Sequence, residues 1–358
     1  MNLSRLWTIA RLDLTQRIRT VSWYVLLGVF ALILVGTTAL AFLSFSGQDD
    51  SGPAVYSVVV FVTLLLVVLV SPTLSGNSIN GDRDAATLAP LQVTQATTSE
   101  IVVGKFLAAW LTGLAFAVVA VPFLVIATFG GGINPLAVVV SAAVLVVEAG
   151  VVAALGTAFS GILARPLFSV ATTYLVVAAL TIGTLIAFGL LGASVRTERE
   201  DRYQSAQYDE TGAPLCQDGS STCANDPEEW VCGDWESTVY EVPRFDYFWW
   251  ILAANPFVIL ADATPSTFDR YGSPDDLFGW TKYSVRQAQV APEPVSSYSD
   301  CAVQQNDGPT PEEIIASTVP SWFVGLGVQV IGAALLLWWA GNRTRTPARR
   351  LPPGTRIA

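Results

Sequence analysis

The sequence contains no histidine and few charged residues. None of its 358 residues is histidine, and only 13% are Asp, Glu, Lys or Arg. The absence of histidine removes the commonest general base and the commonest metal ligand in proteins. With 52% hydrophobic residues, the chain is more apolar than a soluble protein of this length needs to be, so we expect the lipid bilayer to be its main solvent.

The motifs of nucleotide binding and of nucleophilic catalysis are also missing. The phosphate-binding pattern G-x-x-x-x-G-K-[ST] does not occur, since Gly104 and Lys105 are followed by Phe106. Ser75 lacks both glycines of the pattern G-x-S-x-G. We therefore expect no catalytic residue and no cofactor on this chain, and no enzyme activity of its own.

Six long apolar runs are present instead. A helix needs about 20 mostly apolar residues to cross a bilayer, and a helix satisfies its own backbone hydrogen bonds in lipid. The runs that meet this length are Val21–Leu43, Val55–Pro72, Phe106–Thr128, Pro135–Leu163, Leu167–Leu191 and Trp322–Ala340. The sequence therefore predicts six transmembrane helices, five of them within 21–192 and the sixth within 320–341.

The distribution of charges predicts the orientation in the membrane. Segments 1–20, 73–105, 164–166 and 341–358 together hold twelve Lys or Arg and four Asp or Glu, whereas the hydrophilic segments between them hold seven and twenty-four. Because basic residues accumulate on the cytoplasmic side, we expect a multi-pass protein of the plasma (inner) membrane with both termini, including the basic tail 342–358, in the cytoplasm. A cleavage-like Ala39-Leu40-Ala41 follows the first run, but that run is too long for a signal peptide.

All four cysteines lie in the long segment that the charges place outside the cell. They are Cys216, Cys223, Cys232 and Cys301. Disulfides persist in such a compartment, and the spacing contains no C-x2-C pair, so disulfides are favoured over a zinc site. Four cysteines allow three pairings, among which the sequence does not choose, although Cys301 must reach back across about seventy residues.

The first 20 residues have the pattern of an amphipathic helix. Apolar residues recur at three- and four-residue spacing from Leu3 to Ile18, and arginines occupy the other face. This pattern predicts a helix that lies in the inner membrane interface. Its role is either that of an anchor on anionic lipid or that of a contact surface for a partner, and the sequence favours neither.

The segment 193–319 predicts a large extracytoplasmic domain of helices and irregular structure between the fifth and sixth transmembrane helices. Within it, 247–260 is apolar but too short to cross the membrane, which indicates a re-entrant or interfacial helix. A core helix of the outer domain is the alternative. The predicted fold class is thus an all-α polytopic membrane protein.

Two polar residues fall inside the predicted transmembrane helices. Glu148 is the one acid placed deep in such a helix, and a charge there is costly unless it pairs, takes up a proton or faces water. Gln329 in the last helix is a weaker candidate, because an amide can simply bridge two helices. A protonated Glu148 bonded to a neighbouring helix is the structural alternative to a functional role.

The loop between the second and third helices carries a recognisable motif. It reads SINGDRDAATLAPL at 78–91 and, after a capping box from Thr97 to Glu100, EIVVGKF at 100–106. This stretch resembles the signature of the type 2 ATP-binding-cassette (ABC) transporter permeases, which typically reads I-s-x-E-r-e-x-G-T-L-x-x-L and then e-I-x-x-G-K. Asp82 stands where the family favours Glu, and Ala86 where it favours Gly.

The resemblance implies a function. In that family the loop 73–105 contains a coupling helix that docks on a separate cytoplasmic ATPase, which binds the ATP and Mg. It implies two ATPase copies, a second permease copy or homologue, surrounding lipids, and no nucleic acid. The residues it assigns to coupling are Asp82, Arg83, Asp84, Thr87, Leu88, Leu91, Glu100 and Lys105, and the Asn255-Pro256 segment, which the family also has, supplies outer-gate candidates.

The expected function is that of a permease subunit of an ABC exporter for an amphipathic or hydrophobic substrate. Two alternatives remain open from the sequence: a membrane anchor whose outer domain recognises a ligand or an envelope partner, and an ATP-independent channel or carrier. The sequence leaves open the substrate, the pairing of permeases and the role of the outer segment.

Overall fold

The computed structural model describes residues 2–47, 50–84, 97–217, 223, 226–269, 272–302 and 308–344. Within these ranges the chain is mostly helical and carries one small sheet. The α-helices are α1 Leu3–Ile18, α2 Val21–Ser44, α3 Gly52–Ser75, α4 Asn80–Asp84, α5 Thr98–Thr128, α6 Pro135–Ile162, α7 Pro166–Ser194, α8 Pro256–Ala263, α9 Leu277–Gln287, α10 Pro311–Ser317 and α11 Trp322–Thr344.

Six helices in the described part of the chain are long and apolar enough to cross a membrane. They are α2, α3 with its extension through α4, α5, α6, α7 and α11, which confirms the predicted number of membrane-spanning helices. The main difference in bounds is α5, which begins at Thr98 rather than at Phe106. Its first turn is polar and is set by the capping box at Thr97, whereas the apolar run marks only the lipid-facing length.

Helices α3 and α6 form the centre of the bundle. In the most apolar stretch of each of these two helices, more than half of the residues are buried, whereas in α2, α7 and α11 about a fifth are buried. The two helices are parallel and close. Tyr56 and Ser141 share a hydrogen bond of 2.9 Å between their hydroxyl groups, and a Cβ on Gly156 would clash with Oγ of Ser75. Small residues on α6 therefore permit the close packing that holds the bundle together.

The two ends of the bundle differ. One end, here called the α1 end, carries α1, α4 and the beginnings of α5 and α7. The other end, the sheet end, carries strands β1 Arg196–Gln204, β2 Glu236–Pro243 and β3 Val295–Ser299 in the order β2-β1-β3. β1 pairs antiparallel with β2 and parallel with β3.

The sheet corrects the expectation that the segment 193–319 contains only helices and irregular structure. β1 reads RTEREDRYQ, and most residues of all three strands are exposed or half-exposed. Because neither face is covered by an apolar core, the strands lack the alternation of apolar and polar residues by which a strand is recognised.

Two disulfides connect the loops around the sheet. Cys216 is bonded to Cys223, and Cys232 is bonded to Cys301 across 69 residues of sequence. The prediction that the four cysteines form disulfides is confirmed, and the structure supplies the pairing that the sequence left open.

The segment 247–260 is not one continuous helix. Trp249–Ala254 forms a 3-10 helix and α8 begins at Pro256, with Asn255 between them. Proline fixes the start of a helix, and the residue before it avoids helical dihedrals, so the Asn-Pro pair divides the apolar run. The phenylalanines of α8 and α9 then pack on α3, with ring centroids 6.0 Å apart for Phe61 and Phe257 and 5.2 Å for Phe61 and Phe278.

Candidate functional site

A buried lysine joins three elements at the α1 end. The side chain of Lys105, 4% exposed, lies with Nζ 2.7 Å from Oδ2 of Asp82 and 3.6 Å from Oδ1 of Asp13. Lys105 is on α5, Asp82 on α4 and Asp13 on α1. Burying an ammonium group is costly unless carboxylates compensate it, so the positions of these three helices are linked through one charge.

The close contact of α1 with α5 brings these groups together. A Cβ on Gly104 would lie 2.9 Å from Cγ2 of Ile9 and 3.3 Å from the carbonyl oxygen of Leu6. A larger residue at position 104 would push α1 away from α5. Leu6, Ile9 and Ala10 form the buried stripe of the amphipathic helix, and this stripe faces protein.

Glu100 provides a second connection between α1 and α5. Its Oε2 accepts a hydrogen bond from the backbone N–H of Thr97 (2.9 Å), which completes the capping box of α5. Its Oε1 accepts a hydrogen bond from the backbone N–H of Asn2 (2.6 Å), and Asn2 caps α1. One carboxylate thus fixes the first turns of both helices.

The beginning of the loop is fixed to the end of α6. The hydroxyl of Ser160 accepts hydrogen bonds from the backbone N–H groups of Ile79 and Asn80 at 2.9 and 3.0 Å. The guanidinium of Arg83 donates to the carbonyl oxygens of Gly161 (3.1 Å) and Leu163 (3.4 Å). A cation at the C-terminus of a helix is also favoured by the helix dipole.

The structure brings together four of the predicted coupling residues: Asp82, Arg83, Glu100 and Lys105. Asp84 is exposed at the end of α4. Thr87, Leu88 and Leu91 lie outside the described residues.

The sequence did not predict the residues that these four contact at the α1 end, which are Asn2, Asp13 and Ser160. Together with Asp82, Arg83, Glu100 and Lys105 they form the cluster at the α1 end. A signal for Asp13 did exist in the sequence, because it is the one acid among the four arginines of the first 20 residues.

The two polar candidates inside the bundle are both buried. Glu148 is 1% exposed, and its Oε1 has no hydrogen-bond partner among the described residues. Gln329 is 7% exposed; its Nε2 donates to the carbonyl oxygen of Ala254 at 2.9 Å, while its Oε1 also has no partner there. Neither residue belongs to the cluster at the α1 end.

Asn255, which precedes Pro256 at the start of α8, lies against the middle of α7. Asn255 is 2% exposed and caps α8, because its Oδ1 accepts a hydrogen bond from the backbone N–H of Phe257 at 2.9 Å. Its Nδ2 donates to the carbonyl oxygen of Thr181 (2.7 Å) and to the hydroxyl of Thr184 (2.9 Å). Pro256 is the buried first residue of α8.

A charged network at the sheet end holds the beginning of α11. Oδ2 of Asp262 accepts hydrogen bonds from the backbone N–H groups of Ser321 (2.7 Å) and Trp322 (3.0 Å), and Oδ1 accepts from Nε of Arg286 (2.7 Å). Arg286 also donates to the carbonyl oxygen of Thr318 at 2.7 Å. The network satisfies both charges and caps the last membrane-spanning helix.

Two further charged groups outside the membrane-spanning helices have shifted pKa values. Burial lowers the pKa of Lys282 to about 8; its ammonium group donates to the carbonyl oxygen of Thr264 at 2.6 Å. Burial raises the pKa of Asp276 to about 6, although this side chain caps α9 through the backbone N–H of Gly279 at 2.6 Å.

No group of three or more His, Cys, Asp or Glu within the described ranges is arranged to hold a metal ion. Compared with models of protein families, the sequence matches none of them. Compared with curated protein sequences, it likewise has no match. The family resemblance therefore depends on the sequence alone, chiefly on the motif residues at 78–106.

Proposed function

We propose that this chain is the permease subunit of an ABC transporter, and that it exports an amphipathic or hydrophobic substrate by using ATP hydrolysis on a separate ATPase subunit. The observation that carries the proposal is the buried Lys105 with its two carboxylates. It joins the motif loop to α1 and α5, which is what a force-transmitting connection requires.

Both ends of the segment 85–96 are anchored in the bundle. On one side, Arg83 and Asn80 bind the end of α6. On the other side, Thr97 and Glu100 bind the beginnings of α5 and α1. A partner that displaces this segment therefore moves both α5 and α6. The partner shifts the conformational equilibrium only by its difference in affinity for the two conformations, and ATP binding to the ATPase supplies that difference.

The proposed orientation places the α1 end in the cytoplasm and the sheet end outside the cell. The arginines of α1 and of the C-terminal segment support the first assignment. The two disulfides near the sheet support the second, because disulfides persist outside the cytoplasm. In this orientation the motif loop is accessible to a soluble ATPase.

The orientation is tested by labelling single introduced cysteines. The four native cysteines are all in disulfides, so an introduced cysteine is the one thiol available. We expect Asp84→Cys to react with a membrane-impermeant maleimide only after cells are permeabilised, and the control Glu236→Cys, on the exposed strand β2, to react in intact cells. Labelling of Asp84→Cys in intact cells would overturn the proposal.

A further inference from the structure

The helix α7 contains a wide turn near its middle. Residues Ala179–Gly183 form a π-helical segment, in which the backbone N–H of Thr184 donates to the carbonyl oxygen of Ala179, five residues earlier. Such a segment corresponds to one extra residue inserted into an α-helix, and it occurs frequently at functional positions. It persists when neighbouring groups form hydrogen bonds with the backbone groups that it leaves without their usual partners.

Asn255 supplies that support from outside the helix. Its amide donates to the carbonyl oxygen of Thr181, inside the wide turn, and to the hydroxyl of Thr184 immediately after it. The same side chain caps α8 through its Oδ1. All three hydrogen-bonding contacts of this buried amide therefore depend on the wide turn of α7 and the start of α8 being in their present positions.

The parts joined at Asn255 belong to different portions of the sheet end. Beyond the wide turn, α7 leads directly into β1 and packs against the chain after β2. The ring centroids of Phe188 and Phe245 are 5.1 Å apart, and a Cβ on Gly192 would clash with the ring of Phe245. By contrast, α8 is fixed to the start of α11 through Asp262. Asn255 thus connects the portion with the sheet to the portion with α8 and α11.

We propose that Asn255 is a latch that holds α7 in its π-helical form, and that release of this latch lets α7 become a regular α-helix and turns its last third, Thr184–Ser194. One residue of an α-helix corresponds to a rotation of about 100°, so a side chain about 5 Å from the axis moves by about 8 Å. The role of this rotation in opening the sheet end during transport rests on the proposed function. The latch itself does not.

Conservative variants separate the latch from its surroundings. Asn255→Asp keeps an oxygen to cap α8 but removes both donated hydrogen bonds and turns an oxygen toward the carbonyl of Thr181. Thr184→Val removes the second acceptor. The matched control is Thr181→Val, because Asn255 binds the backbone of Thr181, whose own hydroxyl bonds within α7 to the carbonyl oxygen of Val177. Deletion of Ile182 removes the extra residue and leaves both flanks of α7 in their native orientation.

The measurement is the distance between nitroxide labels at Leu190→Cys and Glu312→Cys, taken by pulsed electron paramagnetic resonance on the chain alone in lipid nanodiscs. Both positions are exposed. The native cysteines are disulfide-bonded and do not take the label. We expect one distance for the unmodified sequence and for Thr181→Val. We expect a second population in Asn255→Asp and Thr184→Val, shifted by up to about 8 Å, and a single population again when Ile182 is deleted in the Asn255→Asp background.

Two results would overturn the latch. The first is an unchanged distance distribution in Thr184→Val, a test that remains valid even if Asn255→Asp fails to fold. The second is the persistence of two populations when Ile182 is deleted in the Asn255→Asp background. The experiment contains no ATPase, so its outcome is independent of the proposed function. If the nanodisc experiment confirms the latch but the chain responds to no ATPase, the transport role is refuted and the latch is not.

Discussion

The charge cluster at Lys105 gives a prediction that can be worked out from the distances. At an effective dielectric constant of 20, a charge separation of 2.7 Å corresponds to about 6 kcal/mol and one of 3.6 Å to about 5 kcal/mol. The two carboxylates thus contribute comparable gross attraction to Nζ of Lys105, which is 2.7 Å from Asp82 and 3.6 Å from Asp13. Either one alone is therefore able to compensate most of the buried charge.

The expected changes in stability follow from this redundancy. Asp82 and Asp13 are partly exposed, with 24% and 16% of their side chains accessible, so water takes over part of each lost interaction. We expect Asp82→Asn and Asp13→Asn each to lower the free energy of unfolding by about 1 to 2 kcal/mol, and the double variant, which leaves Lys105 unpaired, to lower it by about 3 to 5 kcal/mol. The two changes are coupled because they share Lys105.

The assay is reversible chemical unfolding in mixed micelles, applied to a double-mutant cycle. Arg17→Gln is the control for Asp13, since Arg17 forms a separate pair with Asp13 at 3.1 Å that contributes less than about 1 kcal/mol. Adding Lys105→Met to the double variant should restore stability to within about 1 kcal/mol of the native chain. Additive effects, or a further loss on adding Lys105→Met, would show that the lysine is not the shared partner.

Three other predictions concern the sheet end. Burial lowers the pKa of Lys282 from 10.5 to about 8, so between about pH 8 and 10.5 the unfolded chain keeps a proton that the folded chain has released, and the free energy of unfolding rises with pH by about 3 kcal/mol. Burial raises the pKa of Asp276 from 3.8 to about 6, so between about pH 4 and 6 the folded chain holds a proton that the unfolded chain has released, and the free energy of unfolding falls with pH by about 3 kcal/mol. Lys282→Met should remove the rise at high pH from the measured profile of stability against pH, and Asp276→Asn should remove the fall at low pH. A profile that neither variant changes would contradict this. Asp262→Asn removes the carboxylate that pairs with the buried guanidinium of Arg286 and should lower the free energy of unfolding by about 3 to 5 kcal/mol. The control Asp234→Asn, at an exposed position, should lower it by less than about 0.5 kcal/mol. Equal effects of the two variants in chemical unfolding would refute the network. Replacing Cys232 and Cys301 by serine opens a loop of 69 residues and should destabilise the sheet by about 4 kcal/mol. Replacing Cys216 and Cys223 by serine opens a loop of 7 residues and should cost about 2.5 kcal/mol. Equally fast proteolysis of the sheet segment in the two variants would exclude this order.

The membrane-spanning helices could be predicted from the sequence because length and apolar character decide whether a segment crosses a bilayer. The sheet could not, because β1 and β2 carry several charged residues and none of their residues is buried. The capping box at Thr97 correctly indicated the start of α5. The apolar run begins only at Phe106, because Glu100 and Lys105 are polar and contact α1.

The candidate site was predicted in its location but not in its contacts. The motif at 78–106 indicated which loop to consider, and a capping box at Thr97 is a local pattern that sequence shows directly. The pairing of Lys105 with Asp13 joins residues 92 positions apart, and no spacing rule connects them. The wide turn of α7 is also invisible in the sequence, because ALTIG is an ordinary apolar stretch.

The central claim is that the motif loop transmits force from an ATPase, and its most direct test is a crosslink. A photo-crosslinking residue at Leu88 should, on illumination of intact cells, attach this chain to a soluble subunit that also binds a photoreactive ATP analogue, while the same residue at Val239 on the exposed strand β2 should not. Attachment of the nucleotide-binding subunit at Val239, or its absence at Leu88, would contradict the account.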